Sequence, residues 1–196
     1  MHFDSSPGEF VCYLMRGIVH PENDLLQGAV PVEDISLDAT DIRILRVLQR
    51  DASLPVAEVA QESGLSQTPC WRRIKRMRDA GVIRRIAALV DREALGLDFV
   101  SYTFVKLHVP SRENMEAFDR LVNIWPEVVT CERITGAVDY LIKVVTEDIK
   151  SYDAFLRLKL LDGPLVSDVQ SRIVVATVKD SPALPLREPQ AKRSKR

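Results

Sequence analysis

The sequence predicts an α+β protein with two folded domains, three helices in the N-terminal half and a βαββαβ arrangement in the C-terminal half. Two observations support this division. Up to about residue 84, short helical patterns are separated by glycine and proline, whereas from residue 99 β-branched and aromatic segments alternate with two helical patterns. Of the 196 residues, 46% are hydrophobic, which is enough to form two small cores.

The predicted segments are an extension at 1–35, a helical domain at 36–84, a linker strand at 85–98, a second domain at 99–180 and a basic tail at 181–196. The extension lacks sustained periodicity and contains three prolines, so we expect it to be partly disordered, and either Met1 or Met15 to be the true start. The tail is polar and rich in lysine and arginine, which also predicts disorder.

Capping and turn residues define the three helices of the first domain. Asp38 is placed to cap the first helix, and Pro55 falls at the start of the second. Gly64 ends the second helix, and Ser66 is placed to cap the third. The third helix has an apolar stripe made by Cys70, Ile74 and Met77. Two short helices joined at a glycine, the second one basic, are typical of a DNA-binding helix-turn-helix.

Positive charge is concentrated around this third helix. Between residues 66 and 86 there are seven basic residues and one acidic residue, a local charge of +6, although the whole chain carries −1. The basic residues are Arg72, Arg73, Lys75, Arg76, Arg78, Arg84 and Arg85. A basic run on a helix is often only a solvated face, but its segregation on an acidic chain favours a surface that binds double-stranded DNA. The following segment, 82–90, is β-prone and predicts a wing or an exit strand.

The second domain has the order strand, helix, strand, strand, helix, strand. The predicted strands are 99–109, 128–134, 140–145 and 166–178, with helices around Phe118 and Phe155. This order is that of a ferredoxin-like unit, an antiparallel sheet with helices on one face only. The other face needs a cover, and pairing of two copies through the sheet is the simplest one.

Composition excludes several other classes of protein. No apolar run approaches the roughly 18 residues needed to span a bilayer, and no secretory signal is evident, so we expect a soluble cytoplasmic protein. The three cysteines are widely spaced and the three histidines have no metal-ligand spacing, so no metal is predicted. Nucleotide-binding and catalytic motifs are also missing, so we predict neither a cofactor nor catalytic residues, and expect that the protein is not an enzyme.

Four segments resemble the Lrp/AsnC, or feast/famine, family of transcription regulators: LDATDIRILRVLQRDA, GLSQTPCWRRIKRM, AGVIRRIAALVD and ITGAVDYLIKV. The resemblance covers residues 37–179. It implies a winged helix-turn-helix joined to a ligand-sensing, oligomer-forming (RAM-type) α/β sandwich. It also implies homodimers that assemble into octamers or similar discs, and an amino acid as effector. The function implied is sequence-specific regulation of amino-acid metabolism.

The resemblance also assigns DNA-facing positions. Ser66, Gln67, Thr68 and Arg73 match the family's positions, and Trp71, Arg72, Lys75 and Arg76 lie close by. We predict that Arg72 and Arg73 read bases, since arginine pairs bidentately with guanine. Phosphate contact is the expected role of Lys75, Arg76, Arg84 and Arg85. Trp71 either packs on the first helix or presses against the DNA.

The effector site is expected in the turn between the second and third strands of the sensing domain. Gly136 and Asp139 match the family pattern there, whereas Ala137 and Val138 replace its usual acidic and aromatic residues. Thr135 is a further candidate, as is Arg133, which is otherwise a surface charge. Asp139 either binds the ligand's amino group or caps the turn. The two departures leave open a second function, that of a DNA-binding regulator or chromosome-organising protein without ligand control.

Overall fold

The computed structural model describes residues 35–187, which divide into two compact units. Within the described part, the first unit comprises residues 35–88 together with 181–187, and the second comprises residues 89–180. The predicted extension therefore lies outside the described residues except for Ile35, and the predicted tail does so from residue 188 onward. None of the helices within the described range is long and apolar enough to cross a membrane.

The first unit contains three helices: α1 (Ala39–Arg50), α2 (Val56–Glu62) and α3 (Gln67–Asp79). Asp38 caps α1 as predicted, and its carboxylate accepts a hydrogen bond from the backbone N–H of Asp41 at 2.8 Å. In turn, the carboxylate of Asp41 accepts a hydrogen bond from the backbone N–H of Asp38 at 3.0 Å, which completes a capping box. Ser66 also stands at the N-cap of α3, but its side chain makes no capping hydrogen bond. The predicted apolar stripe of α3 is buried between the helices: Cys70, Ile74 and Met77.

The second unit is a four-stranded antiparallel sheet with two helices. Its elements are β1 (Phe99–Leu107), α4 (Arg112–Asn123), β2 (Val128–Arg133), β3 (Tyr140–Thr146), α5 (Ile149–Phe155, continued by a π-helical turn at Leu156–Leu160) and β4 (Val166–Ile173). The strand order β2-β3-β1-β4 is that of the predicted ferredoxin-like unit. Aromatic side chains fill its core, with the rings of Phe118 and Tyr140 centred 4.6 Å apart.

The predicted linker strand at 85–98 is not a strand in the described chain. Residues 84–91 carry no ladder pairing, and a 3₁₀ turn occupies Glu93–Leu95. Leu89, with 79% of its surface exposed, and Val90 are β-prone but meet no partner strand. Propensity alone does not form a strand, because the backbone N–H and C=O groups need an adjacent strand to pair with.

The described part of the predicted tail contacts the helical unit. The side-chain amide of Gln49 on α1 donates to the carbonyl of Leu184 at 3.3 Å and accepts from its N–H at 2.6 Å. Arg46 donates to the carbonyl of Leu186, whose side chain packs against the helical core. The prediction of disorder from polar composition missed residues 184–186, because Leu186 packs its side chain on the helical core and the backbone of Leu184 bonds Gln49.

Candidate DNA-binding and effector-binding sites

A buried carboxylate joins the start of α1 to α3. Asp41 is fully buried, and its Oδ1 atom accepts a hydrogen bond from Nη1 of Arg73 at 2.9 Å. The other oxygen, Oδ2, accepts from Nη2 of Arg76. Nη1 of Arg73 also donates to Asp38 at 2.7 Å, so both carboxylates of the capping box bind the same guanidinium. These ion pairs hold α3 against the N-terminal end of α1.

The charges at this junction stabilise one another. The pKa of Asp38 is lowered, first by the backbone N–H of Asp41 and then by the Arg73 guanidinium. The pKa of Arg73 is raised by its hydrogen bonds to Asp38 and Asp41. Only Nη1 of Arg73 makes these bonds, and its side chain stays 30% exposed. Within the described residues, Nε and Nη2 of Arg73 have no hydrogen-bond partner and remain able to donate to another molecule.

The other predicted DNA-facing residues lie on α3 or at its start. Gln67, Thr68, Trp71, Arg72 and Lys75 are on the helix, and Ser66 precedes it. Arg72 is exposed and has no ion pair or hydrogen bond with any described residue. Lys75 pairs with Asp79 at 3.1 Å on the solvent side, a contact of little energetic weight. Trp71 is 36% exposed, so part of its indole ring is accessible from solvent. Arg84 and Arg85 are exposed in the segment after α3.

The predicted effector turn lies between β2 and β3. Gly136 has φ +133° and open space around its α-carbon, so the turn takes a backbone conformation that favours glycine. Thr135, Gly136 and Ala137 are exposed. Asp139 forms two hydrogen bonds with the end of β1. Its Oδ2 atom accepts from the backbone N–H of Leu107 at 2.8 Å, and its backbone N–H donates to the carbonyl of Val105. Oδ1 of Asp139 makes no hydrogen bond to a described residue.

Arg133, the other sequence candidate, is engaged within the sensing unit. It forms an ion pair with Asp119 on α4, and Asp119 also accepts from the hydroxyl of Tyr140 at 3.0 Å. Burial, followed by this contact with Asp119, raises the pKa of Tyr140 to about 12. Arg133 thus ties β2 to α4. The described residues contain no cluster of three or more His, Cys, Asp or Glu side chains that would hold a metal ion.

A helix-turn-helix with a basic second helix, followed by a separate ferredoxin-like unit, defines a DNA-binding transcription regulator with a sensing domain. Residues 37–84 match a winged helix-turn-helix DNA-binding model, and residues 101–184 match the Lrp/AsnC ligand binding domain. The chain belongs to the Lrp/AsnC family of transcription regulators.

Several known proteins are similar to this chain along nearly their whole length. The transcriptional regulator AzlB of Bacillus subtilis is 35% identical over 154 residues, which cover 79% of this chain and 98% of the relative. A solved regulator from Neisseria meningitidis in complex with L-Met is 36% identical with a TM-score of 0.73, covering 76% of this chain and 97% of that one. An AsnC family regulator from Agrobacterium tumefaciens is 40% identical, with the same TM-score and coverage.

Proposed function

We propose that this protein binds operator DNA through α3, with Arg72 and Arg73 reading bases, and that an amino acid bound to the sensing unit modulates this binding in the cytoplasm. The observation that carries the DNA-reading part is the state of the two arginines. Among the described residues, Arg72 is exposed and unpaired, and Arg73 is held by two carboxylates at one nitrogen while its Nε and Nη2 donors have no partner. A guanidinium fixed on one side loses less conformational entropy when it pairs with a guanine.

The remaining cations of the helix suit phosphate contacts. Arg76 is bound to Asp41 yet 46% exposed, and Lys75 pairs with solvent-exposed Asp79. Ser66, Gln67 and Thr68 lie at the N-terminal end of α3, the end that meets base edges in helix-turn-helix proteins. Trp71 is exposed enough to contact sugar or a thymine methyl group.

The test begins with an operator selected by the wild-type protein from a random DNA library. Arg72→Ala and Arg73→Ala should each weaken operator binding by about 1–3 kcal/mol and affect random DNA much less, because base contacts carry the discrimination. Lys75→Ala is the matched control, and it should weaken both DNAs by the same small factor. Equal losses on operator and random DNA for both arginine variants would refute base reading.

For the effector, the supporting features are an exposed glycine turn and one carboxylate oxygen that has no hydrogen-bond partner in the described part of the chain. Backbone N–H groups at Gly136 and Ala137 can approach a ligand carboxylate, and Oδ1 of Asp139 can accept from an ammonium group. The Neisseria relative was solved with L-Met, an amino acid that carries both groups. Thr135 supplies a hydroxyl on the same exposed turn.

Calorimetric titration with the common amino acids tests this site directly. We expect heat for at least one of them, and a change in operator affinity when that one is present. If no amino acid gives heat or shifts a DNA band, the second function, a regulator without ligand control, accounts better for Ala137 and Val138.

For assembly, we propose homodimers formed through the helix-free face of the sheet, which associate further into an octamer or a similar ring. Tyr102 is exposed on that face, and Phe104, Leu141 and Val145 are only partly covered. Tyr102→Glu should shift the mass measured by light scattering toward the monomer, because it buries a charge at the interface. An unchanged mass would contradict this arrangement.

A further inference from the structure

A groove lies along the outer face of α3 in the DNA-binding unit. It has a volume of about 320 Å³. Its lining residues include Ile35, Trp71, Arg72, Lys75, Arg76 and Asp79. Four of these are DNA-contacting residues of the proposed function, so any occupant of the groove competes directly with DNA. The walls combine an exposed indole with three cations and one carboxylate, which suits a ligand that is both apolar and acidic.

Ile35 connects this groove to residues 1–34. That stretch contains six carboxylates and one basic residue, Arg16, a net charge of −5. The carboxylates are Asp4, Glu9, Glu22, Asp24, Glu33 and Asp34. Glu33 and Asp34 directly precede Ile35, so chain geometry keeps their α-carbons within about 7 Å of a residue that lines the groove.

The same stretch contains an apolar sequence, Phe10 to Leu14, that neither the DNA-binding nor the sensing role uses. Twenty residues separate Leu14 from Ile35. By covalent geometry, 20 residues reach at most about 66 Å, which exceeds the roughly 20 Å length of a 13-residue helix such as α3. The apolar sequence can therefore reach Trp71 at any position along the groove.

We propose that residues 1–34 dock in cis onto the groove of α3 and inhibit DNA binding by this regulator. The proposal rests on the proposed function, because it assigns a regulator to the same surface. Carboxylates of the segment pair with Arg72, Lys75 and Arg76, and the apolar sequence covers Trp71. DNA binding then requires the segment to leave. The family models match from residue 37 onward, so this inhibitory segment is an addition to the shared architecture.

Competition in cis sets the size of the effect. A tethered segment acts at an effective concentration of about 1 mM. If its intrinsic dissociation constant for the groove is on the order of 0.1 mM, the apparent dissociation constant for DNA rises about tenfold. Ion pairing between exposed groups weakens with salt, so inhibition should be strongest at low ionic strength.

The test uses the full chain with Trp125→Phe, which leaves Trp71 as its single tryptophan. In one variant all six carboxylates of residues 1–34 become amides, and a second variant lacks residues 1–34. A control instead carries Glu132→Gln and Asp162→Asn, two exposed carboxylates of the sensing unit. We expect acrylamide to quench Trp71 more strongly in both variants than in the parent and control. Both variants should also bind a random-sequence duplex about tenfold more tightly at low salt.

Equal quenching of Trp71 in the parent and both variants would overturn the docking. Shielding that disappears on dilution would also overturn it, since the occupant would then be a second copy. Stronger quenching without tighter DNA binding would overturn the inhibition. If no variant binds DNA, the proposed function fails, and the quenching result still decides the docking.

Discussion

Replacing Asp41 with asparagine isolates the ion pairs that hold α3 against α1. Asparagine keeps the shape of the side chain and an oxygen that can accept from the N–H of Asp38, so the capping contact at 3.0 Å can persist. It removes the negative charge shared by Arg73 and Arg76. The substitution therefore separates the ion pairs from the helix cap.

The magnitude follows from the exposure of the three side chains. Removing one partner of a fully buried ion pair costs about 3–5 kcal/mol, whereas exposed pairs contribute about 0–1 kcal/mol. Asp41 is fully buried, but Arg73 and Arg76 are 30% and 46% exposed and recover water when released. We therefore expect Asp41→Asn to destabilise the DNA-binding unit by about 2–3 kcal/mol. Asp41→Ala also loses the cap and should cost about 1 kcal/mol more.

Thermal and urea unfolding followed by circular dichroism measure this loss. For a unit of this size, about 2–3 kcal/mol lowers the melting temperature by about 10–20 °C. The transition of the sensing unit should not move, and Lys75→Ala, which breaks only an exposed pair, should change stability by less than about 0.5 kcal/mol. If Asp41→Asn stays within about 0.5 kcal/mol of the wild type, the ion pairs do not hold α3 in place.

Three further outcomes follow from the same contacts. Asp139→Asn keeps an oxygen for the N–H of Leu107 but loses the charge, so calorimetry should show weaker effector binding with unchanged stability; Asp139→Ala should lower both. Because the pKa of Asp38 is lowered from its ordinary 3.8, its stabilising effect is complete above about pH 4 and is lost as pH falls through the lowered value. Below pH 4, the free energy of unfolding of Asp38→Asn should therefore depend less on pH than that of the wild type. The same pH dependence in both proteins would contradict this. For DNA, the four cations assigned to phosphate, Lys75, Arg76, Arg84 and Arg85, predict a slope of log K against log salt of about −3.6 per protomer. A slope of about −6 would mean that all seven basic residues around α3 contact phosphate.

Local patterns predicted most of the fold. The spacing of Cys70, Ile74 and Met77 marked the inner side of α3, because a helical period places them on one face. The β-branched segments of the sensing unit predicted four strands in the correct order. Where prediction failed, at 85–98 and 184–186, the outcome depended on a partner elsewhere in space. Residue propensity does not reveal such a partner.

The role of Arg73 shows how structure changes the meaning of a basic helix. Asp38 and Arg73 are 35 positions apart in the chain, so sequence spacing gives no sign that they meet. A partial signal was present, because a capping box places two carboxylates at the start of a helix, and these attract a nearby cation. Of the seven basic residues around α3, Arg73 and Arg76 bind Asp41. The charge of α3 therefore stabilises the unit as well as attracting DNA, and Arg73 links the two roles: the aspartates that anchor α3 also orient the guanidinium proposed to read the operator.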